Sequence, residues 1–327
     1  MVKEMENSIH ALAAKPEARA GKNPSARNKR LKQIGKNYEL YIFILPALLY
    51  FLIFHYGPMY GIQIAFKDYI ATKGIWGSPW AGMKYLNYFF DSYHFWTLIK
   101  NTLGLAVYSL LAGFPIPILL ALSLNEVKNN RFKKLVQNVT YAPHFISTVV
   151  MVGMILAFLA PSNGVINIII KALGGEPIHF MAKSSLFNDI YVWTGVWQGM
   201  GWGSIIYLAA LAGIDVQLHE AAIVDGATRL QRIWHINLPG IMPTMVIMLI
   251  MNCGSLMNVG FEKVFLMQNS LNMEAADVIS TYVYRIGLVN AQYSFSAAVG
   301  LFNSVINFTL LIIVNSIAKR VNETSLW

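Results

Sequence analysis

Charge is what this sequence has least of. Asp, Glu, Lys and Arg make up 13% of its 327 residues, against 56% hydrophobic residues. A soluble domain carries about a quarter of its residues charged, so the composition argues for a membrane protein. Cysteine is nearly absent. Cys253 stands alone in an apolar run, so an internal disulfide is excluded and compartment cannot be read from thiols. Residue sets for chemistry are missing too. The nearest approach to a phosphate-binding loop is Gly77 to Gly82, but Met83-Lys84 follows where Lys-Ser/Thr is needed. His219-Glu220 opens like a zinc-protease helix, yet Ile223 stands where the second histidine ligand belongs. A Gly-x-Ser-x-Gly nucleophile elbow is not found. The expectation is no catalytic residue, no metal site and no cofactor, with energy supplied by a partner.

What the chain does have is length without charge. Six runs lack Asp, Glu, Lys and Arg: 40–66, 101–125, 135–170, 190–214, 233–261 and 286–318. A spanning helix needs about 20 largely apolar residues. The runs predict an all-α, polytopic membrane protein with spans at 40–64, 99–123, 139–160, 189–212, 243–266 and 295–317. No separate outer domain and no internal repeat is evident.

The net charge of +9 has a topological reading. Of the 25 Lys and Arg residues, 17 lie in 1–38, 126–138, 214–240 and 318–327. The positive-inside rule then puts both termini in the cytoplasm. Residues 1–38 hold nine of them and read as a disordered basic cytoplasmic tail, before a membrane domain over 39–320 and a cytoplasmic end over 321–327. A nucleic-acid-binding tail is the alternative, but base-stacking aromatics are not interleaved with the cations. The outer segment 67–94 carries Trp76, Trp80, Tyr85 and Tyr88, residues suited to the membrane interface.

One polar loop, 214–240, breaks the apolar pattern. Its first short helix stops near Gly226. A second starts from an N-cap at Thr228, gathers Leu230, Ile233, Trp234 and Leu238 on one face, and ends at Pro239. Ala221, Ala222 and Gly226 let another surface come close, between the charges of Glu220 and Asp225. Either an ordinary connection or a helix docked on a soluble partner fits these residues. The spacing is more particular: Glu220-Ala221-Ala222, three residues, Gly226, nine residues, Ile236, one residue, Leu238-Pro239. It resembles the EAA loop of ABC importer permeases. The resemblance implies a type I ABC importer permease fold and an ATPase-coupling role for Glu220, Ala221, Ala222, Asp225 and Gly226.

Polar residues inside the spans suggest a lined path, although bonding between helices could absorb several. Gly195, Gly199 and Gly203 recur every four residues, a smooth face for close helix packing or for a substrate path. Gln198 in the same span should face protein or water. Pro115 and Pro117 are expected to prevent a regular second span, and Pro143-His144 to interrupt the third. Asn252, Ser255 and Asn258 are spaced by three, as on one helix face, with Glu262 and Lys263 closing it near the outer surface. Asn303 and Asn307 share a face in the sixth span.

Over roughly 40–320 the chain is similar to maltose-type permeases of binding-protein-dependent ABC importers. His55-Tyr56-Gly57-Pro58-Met59-Tyr60-Gly61 with Ala65-Phe66-Lys67-Asp68-Tyr69 resembles the branch serving complex oligosaccharides, including alginate and other uronate chains. The resemblance implies a multi-pass protein of the bacterial cytoplasmic membrane. Its implied partners are a second homologous permease, an ATPase dimer that binds the ATP, an extracytoplasmic solute-binding protein, an oligosaccharide and the lipid bilayer, and not nucleic acid. It further implies substrate binding by His144, in a Pro-x-Phe-Ile-Ser segment; by Gln198, Gly199 and Trp202, in and after Trp197-Gln198-Gly199; and by Ser255 and Asn258, counted on from Leu238-Pro239. The extra leading helices and outer domain of the larger maltose subunit are lacking, so binding-protein contacts do not carry over. A uronate would favour Lys263 or His144, although Lys263 could equally snorkel to the interface. The rival readings are an ion-gradient-driven secondary transporter or channel, which would call for intramembrane carboxylates, and a membrane scaffold.

Overall fold

The computed structural model describes residues 37–322. All but two residues of each expected terminal segment, 1–38 and 321–327, lie outside them. The chain divides into two units, Met1–Gly61 and Ile62–Trp327. Among the described residues nearly everything is helical, and the one extended pairing is an isolated bridge between Lys67 and Trp80.

Four helices are long and apolar enough to span alone: α1 (Tyr38–Phe66), α3 (His94–Glu126), α9 (Arg229–Gly254) and α12 (Tyr293–Arg320). Two bent pairs complete six spans. The first is α4 (Asn130–Phe145) with α5 (Thr148–Phe158), bent by 100°. The second is α7 (Ser184–Ala212) with α8 (Val216–Val224), bent by 72°. Shorter helices lie between: α2 (Lys84–Phe90), α6 (Val165–Ala172), α10 (Phe261–Met267) and α11 (Ile279–Tyr284).

Local chemistry explains the boundaries. Asn129 Oδ1 accepts from Arg131 and Phe132 N–H at the start of α4, Ser147 Oγ from Val150 N–H at the start of α5, and Asp215 Oδ1 from Gln217 N–H at the start of α8. Each cap satisfies donors that have no partner within the helix. Gly226 takes φ +79 after α8, and Thr228 forms a reciprocal capping box with Gln231 at the start of α9.

Proline interrupts α3 but not α9. α3 keeps its direction past Pro115 and Pro117 but is interrupted there as expected: one segment ends at Gly113, and after Phe114 a second starts with Pro115 at its first position, where the missing N–H is among those without a helical partner. Pro239 does not end its helix. A π-turn at Ile233–Asn237 precedes it, the Leu238 N–H reaches back to the Ile233 carbonyl, and α9 continues into the fifth span. The wider turn makes room for the proline ring against the preceding turn. α1 repeats the device: a π-turn at Leu52–Tyr56, a bond from Gly57 N–H to the Leu52 carbonyl, then Pro58.

Two further spans depart from single regular helices. The third breaks at Ile146-Ser147, next to the expected interruption at Pro143-His144. The fifth ends at Gly254, so Asn252, Ser255 and Asn258 do not share a helix face. They follow one another through turn bonds, Ser255 N–H to the Asn252 carbonyl and Asn258 N–H to that of Ser255.

Buried polar groups fix the outer connections. Asn167, fully buried, donates to the Ala160 and Ile178 carbonyls and accepts from Ile178 N–H. Asp68 accepts from Lys84 Nζ (2.8 Å) and Tyr85 OH (2.7 Å), and these donors, Lys84 first, hold its carboxyl below its usual pKa. The stabilisation is therefore present above the ordinary carboxylate range and lost as pH falls through the lowered value. The pair is exposed and contributes little. Thr102 matters more. Its buried Oγ1 accepts from the buried Ile279 N–H at 3.0 Å, tying α3 to α11. Thr102→Val keeps the shape but strands that donor, and should lower the stability of the detergent-solubilised protein by about 1–3 kcal/mol. An unchanged thermal midpoint would show the donor has another acceptor.

Candidate functional site

Two adjoining cavities open between α3, α7 and α9. One of about 380 Å³ is lined by Ser109, Tyr191, Gly195, Gln198, Asn252 and Lys263, among others. One of about 310 Å³ is lined by Ser109, Asn252, Ser255 and Asn258 with apolar neighbours. Ser109, Gly113, Phe114, Tyr191 and Asn252 belong to both.

The glycine stripe of α7 faces this space. Gly195, Gly199 and Gly203 all line the first cavity, and a methyl at Gly199 would meet nothing within 4 Å. Close helix packing is met at one end of the stripe, where a Cβ at Gly203 would lie 3.3 Å from Pro117 of α3, and most tightly at Gly201, two positions off the stripe. There a Cβ would lie 2.0 Å from the Thr140 carbonyl oxygen of α4.

Of the expected substrate residues, Gln198 and Gly199 line the first cavity. Gln198 Nε2 donates to the Ile146 carbonyl at 2.9 Å, satisfying an acceptor freed by the break between α4 and α5. Ser255 and Asn258 line the second. Asn258 Oδ1 accepts from Asn303 (3.2 Å) and Asn307 (3.1 Å) of α12, and Asn307 Oδ1 accepts from Met257 N–H. The shared face expected for Asn303 and Asn307 thus holds the non-helical turn in place. His144 and Trp202 line neither cavity. They stack on each other, 4.5 Å apart and within 3° of parallel, so one indole face is already covered. Lys263 does not close the outer end of a helix. It is buried and turns into the first cavity.

Sequence reasoning missed Ser109, Tyr191 and the Tyr108 cluster, in which Tyr108 OH donates to Asp189 (2.8 Å) and accepts from Trp193 Nε1 (3.0 Å). No spacing signal could have joined groups on α3 and α7. It also missed Glu126, which accepts from the buried Asn237 at 3.4 Å and links the end of α3 to the π-turn of α9.

The loop residues sit together at the bend between α7 and α9. Glu220, Ala221, Asp225 and Gly226 are exposed and Ala222 is half-buried. Around them Val224 (86% exposed), Leu230 (78%) and Trp234 (67%) present apolar side chains outward.

A chain with these spans, this loop and this cavity is an importer permease. It belongs to the family of binding-protein-dependent transport system inner membrane components, whose sequence model matches residues 113–323. Protein LplB of Bacillus subtilis is 46% identical over 288 residues, covering 88% of this chain and 91% of the relative. The polygalacturonan/rhamnogalacturonan transport system permease protein YteP of Bacillus subtilis is 44% identical over 303 residues, covering 92% and 94%. A chain from the crystal structure of a bacterial ABC transporter involved in import of the acidic polysaccharide alginate matches with a TM-score of 0.84 at 41% identity, over 90% of this chain and 99% of that one. The same transporter family has been solved with an alginate pentasaccharide-bound periplasmic protein, and that chain also matches with a TM-score of 0.84. The protein is a multi-pass, non-catalytic subunit with the type I ABC importer permease fold, in the carbohydrate branch of its family.

Proposed function

We propose that this chain forms half of the pathway of an ATP-driven oligosaccharide importer in a bacterial cytoplasmic membrane, with both termini in the cytoplasm. A second homologous permease supplies the other half. Two ATPase copies bind and hydrolyse ATP, and an extracytoplasmic binding protein delivers the sugar. The relatives' named cargoes, alginate and polygalacturonan or rhamnogalacturonan, support an oligosaccharide as the substrate.

The observation that carries this reading is mechanical. The helix entering the 214–240 loop, α7, and the helix leaving it, α9, are two of the walls of the cavities. At about 1.5 Å per residue, the 29 residues of α7 make a lever of about 43 Å. A push on α8 passes across the bend at its start into α7 and across the Gly226 turn into α9, and each of those helices then carries it to Gly195–Gly203 or Asn252. The exposed Val224, Leu230 and Trp234 form an apolar surface suited to a cleft on the ATPase. Amides and hydroxyls in the cavities suit sugar hydroxyls.

In proteoliposomes holding the whole complex, uptake of a labelled oligosaccharide should require ATP and the ATPase, and should survive ionophores that collapse proton and sodium gradients. Gradient-driven uptake with the ATPase left out would replace this reading with a secondary transporter.

A further inference from the structure

Tyr108, Asp189 and Trp193 lie where the first central cavity gives way to a larger one. The first cavity starts on α3 at Ser109 and on α7 at Tyr191. The larger, of about 1150 Å³, is lined by Thr97 and Lys100 of α3 and by Ser185 and Asn188 of α7, among others. Tyr108 and Asp189 fall between the two linings on their helices. In the proposed orientation α7 starts on the outer side, so the larger cavity is the mouth of the path and the cluster stands at its inner end. Asp189 is exposed, and no cation pairs with it among the described residues. One of its oxygens accepts from Tyr108 OH at 2.8 Å, and Trp193 Nε1 donates to the same phenol oxygen at 3.0 Å. Two neutral donors in series hold the carboxylate in place without cancelling its charge, and they leave its other oxygen able to accept. Trp193 is 52% exposed, and Trp197, one turn further in, is 43% exposed. An ionised side chain facing out from two spanning helices does not suit hydrocarbon, so this face does not look onto lipid.

We infer that Tyr108, Asp189 and Trp193 form a further saccharide subsite, outward of the central cavities, for an uncharged, hydroxyl-bearing sugar ring. A carboxylate oxygen takes hydroxyl donors in short, charge-assisted bonds. The indole covers the less polar face of the ring. Tyr108 is the positioning residue. Its hydroxyl fixes the carboxylate and is itself fixed by the indole N–H, so platform and acceptor keep one spacing. A sugar unit that brings its own carboxylate meets like charge here. The inference rests on the importer reading above and adds a site whose three residues line neither central cavity.

The test uses the complete reconstituted complex with two labelled oligosaccharides of equal length, one neutral and one built only of uronates. The binding protein is the same in every preparation, so a change in the ratio of the two uptake rates belongs to the permease. Asp189→Asn keeps an acceptor for Tyr108 but removes the charge. It should lower neutral uptake about fivefold and shift the ratio about tenfold towards the uronate chain. Trp193→Phe keeps a ring and should retain most of the neutral uptake, whereas Trp193→Ala should lower it about tenfold. Both chains falling together in Asp189→Asn overturns the inference, because a structural contact, or a contact with the second permease, has no reason to tell them apart. A ratio unchanged with both rates intact overturns it as well. Wild-type uptake of the uronate chain alone overturns it while the importer reading stands. Uptake of neither chain with ATP present removes both.

Discussion

Gly201→Ala should leave little folded protein. The added Cβ would sit 2.0 Å from the Thr140 carbonyl oxygen, 2.4 Å from its carbon and 2.9 Å from Tyr141 N. All three are backbone atoms, which cannot rotate away, so α7 and α4 would have to part. Overpacking typically costs about 1–3 kcal/mol, and a clash with rigid backbone belongs at the upper end of that range. The separation would also pull on the Gln198–Ile146 bond one turn away. Gly199→Ala is the control, since the same methyl two residues earlier meets nothing within 4 Å. The measurement is the monodisperse fraction and thermal midpoint in detergent. Equal behaviour of the two variants would show that the helices are not in backbone contact at Gly201.

The contrast between these two glycines marks where sequence reading stops. Gly195, Gly199 and Gly203 carry a period that one helix imposes on itself, so the face was visible. Which partner that face meets is set by α3 and α10, remote in sequence: the face meets a cavity, and at Gly203 it also packs closely on Pro117 of α3. Gly201 carries no period, and its role appears only once Thr140 is beside it. Features that depend on neighbouring residues were legible: charge-free runs of spanning length, the turn at Gly226 and the cap at Thr228. Pro239 misled because the π-turn before it relieves the clash that proline would otherwise cause. Asn252, Ser255 and Asn258 were grouped correctly for a wrong reason. A turn held by Asn303 and Asn307, not a helix face, brings them to one cavity. Lys263 looked like an interfacial cation because its burial depends on the hydrogen bonds offered by Tyr191 and Thr194, about 70 positions away.

Glu220→Lys should abolish uptake and substrate-stimulated ATP hydrolysis while the permease still folds and inserts. The side chain is exposed on α8, and exposed substitutions change stability by only about 0.5 kcal/mol. On the proposed coupling role, the loss arises where α8 docks on the ATPase. Setting a cation where an interface expects a carboxylate costs about 2–5 kcal/mol, a factor of about 30 to several thousand in docking affinity. The apolar side chains of Val224, Leu230 and Trp234 remain unchanged and retain part of the attraction. Glu220→Gln removes charge without reversing it and should fall between the two. Co-purification of the ATPase, measured beside uptake, separates lost docking from lost force transfer. Wild-type uptake by the lysine variant would mean that α8 carries no load, and that the motion reaching Gly195–Gly203 enters by another route.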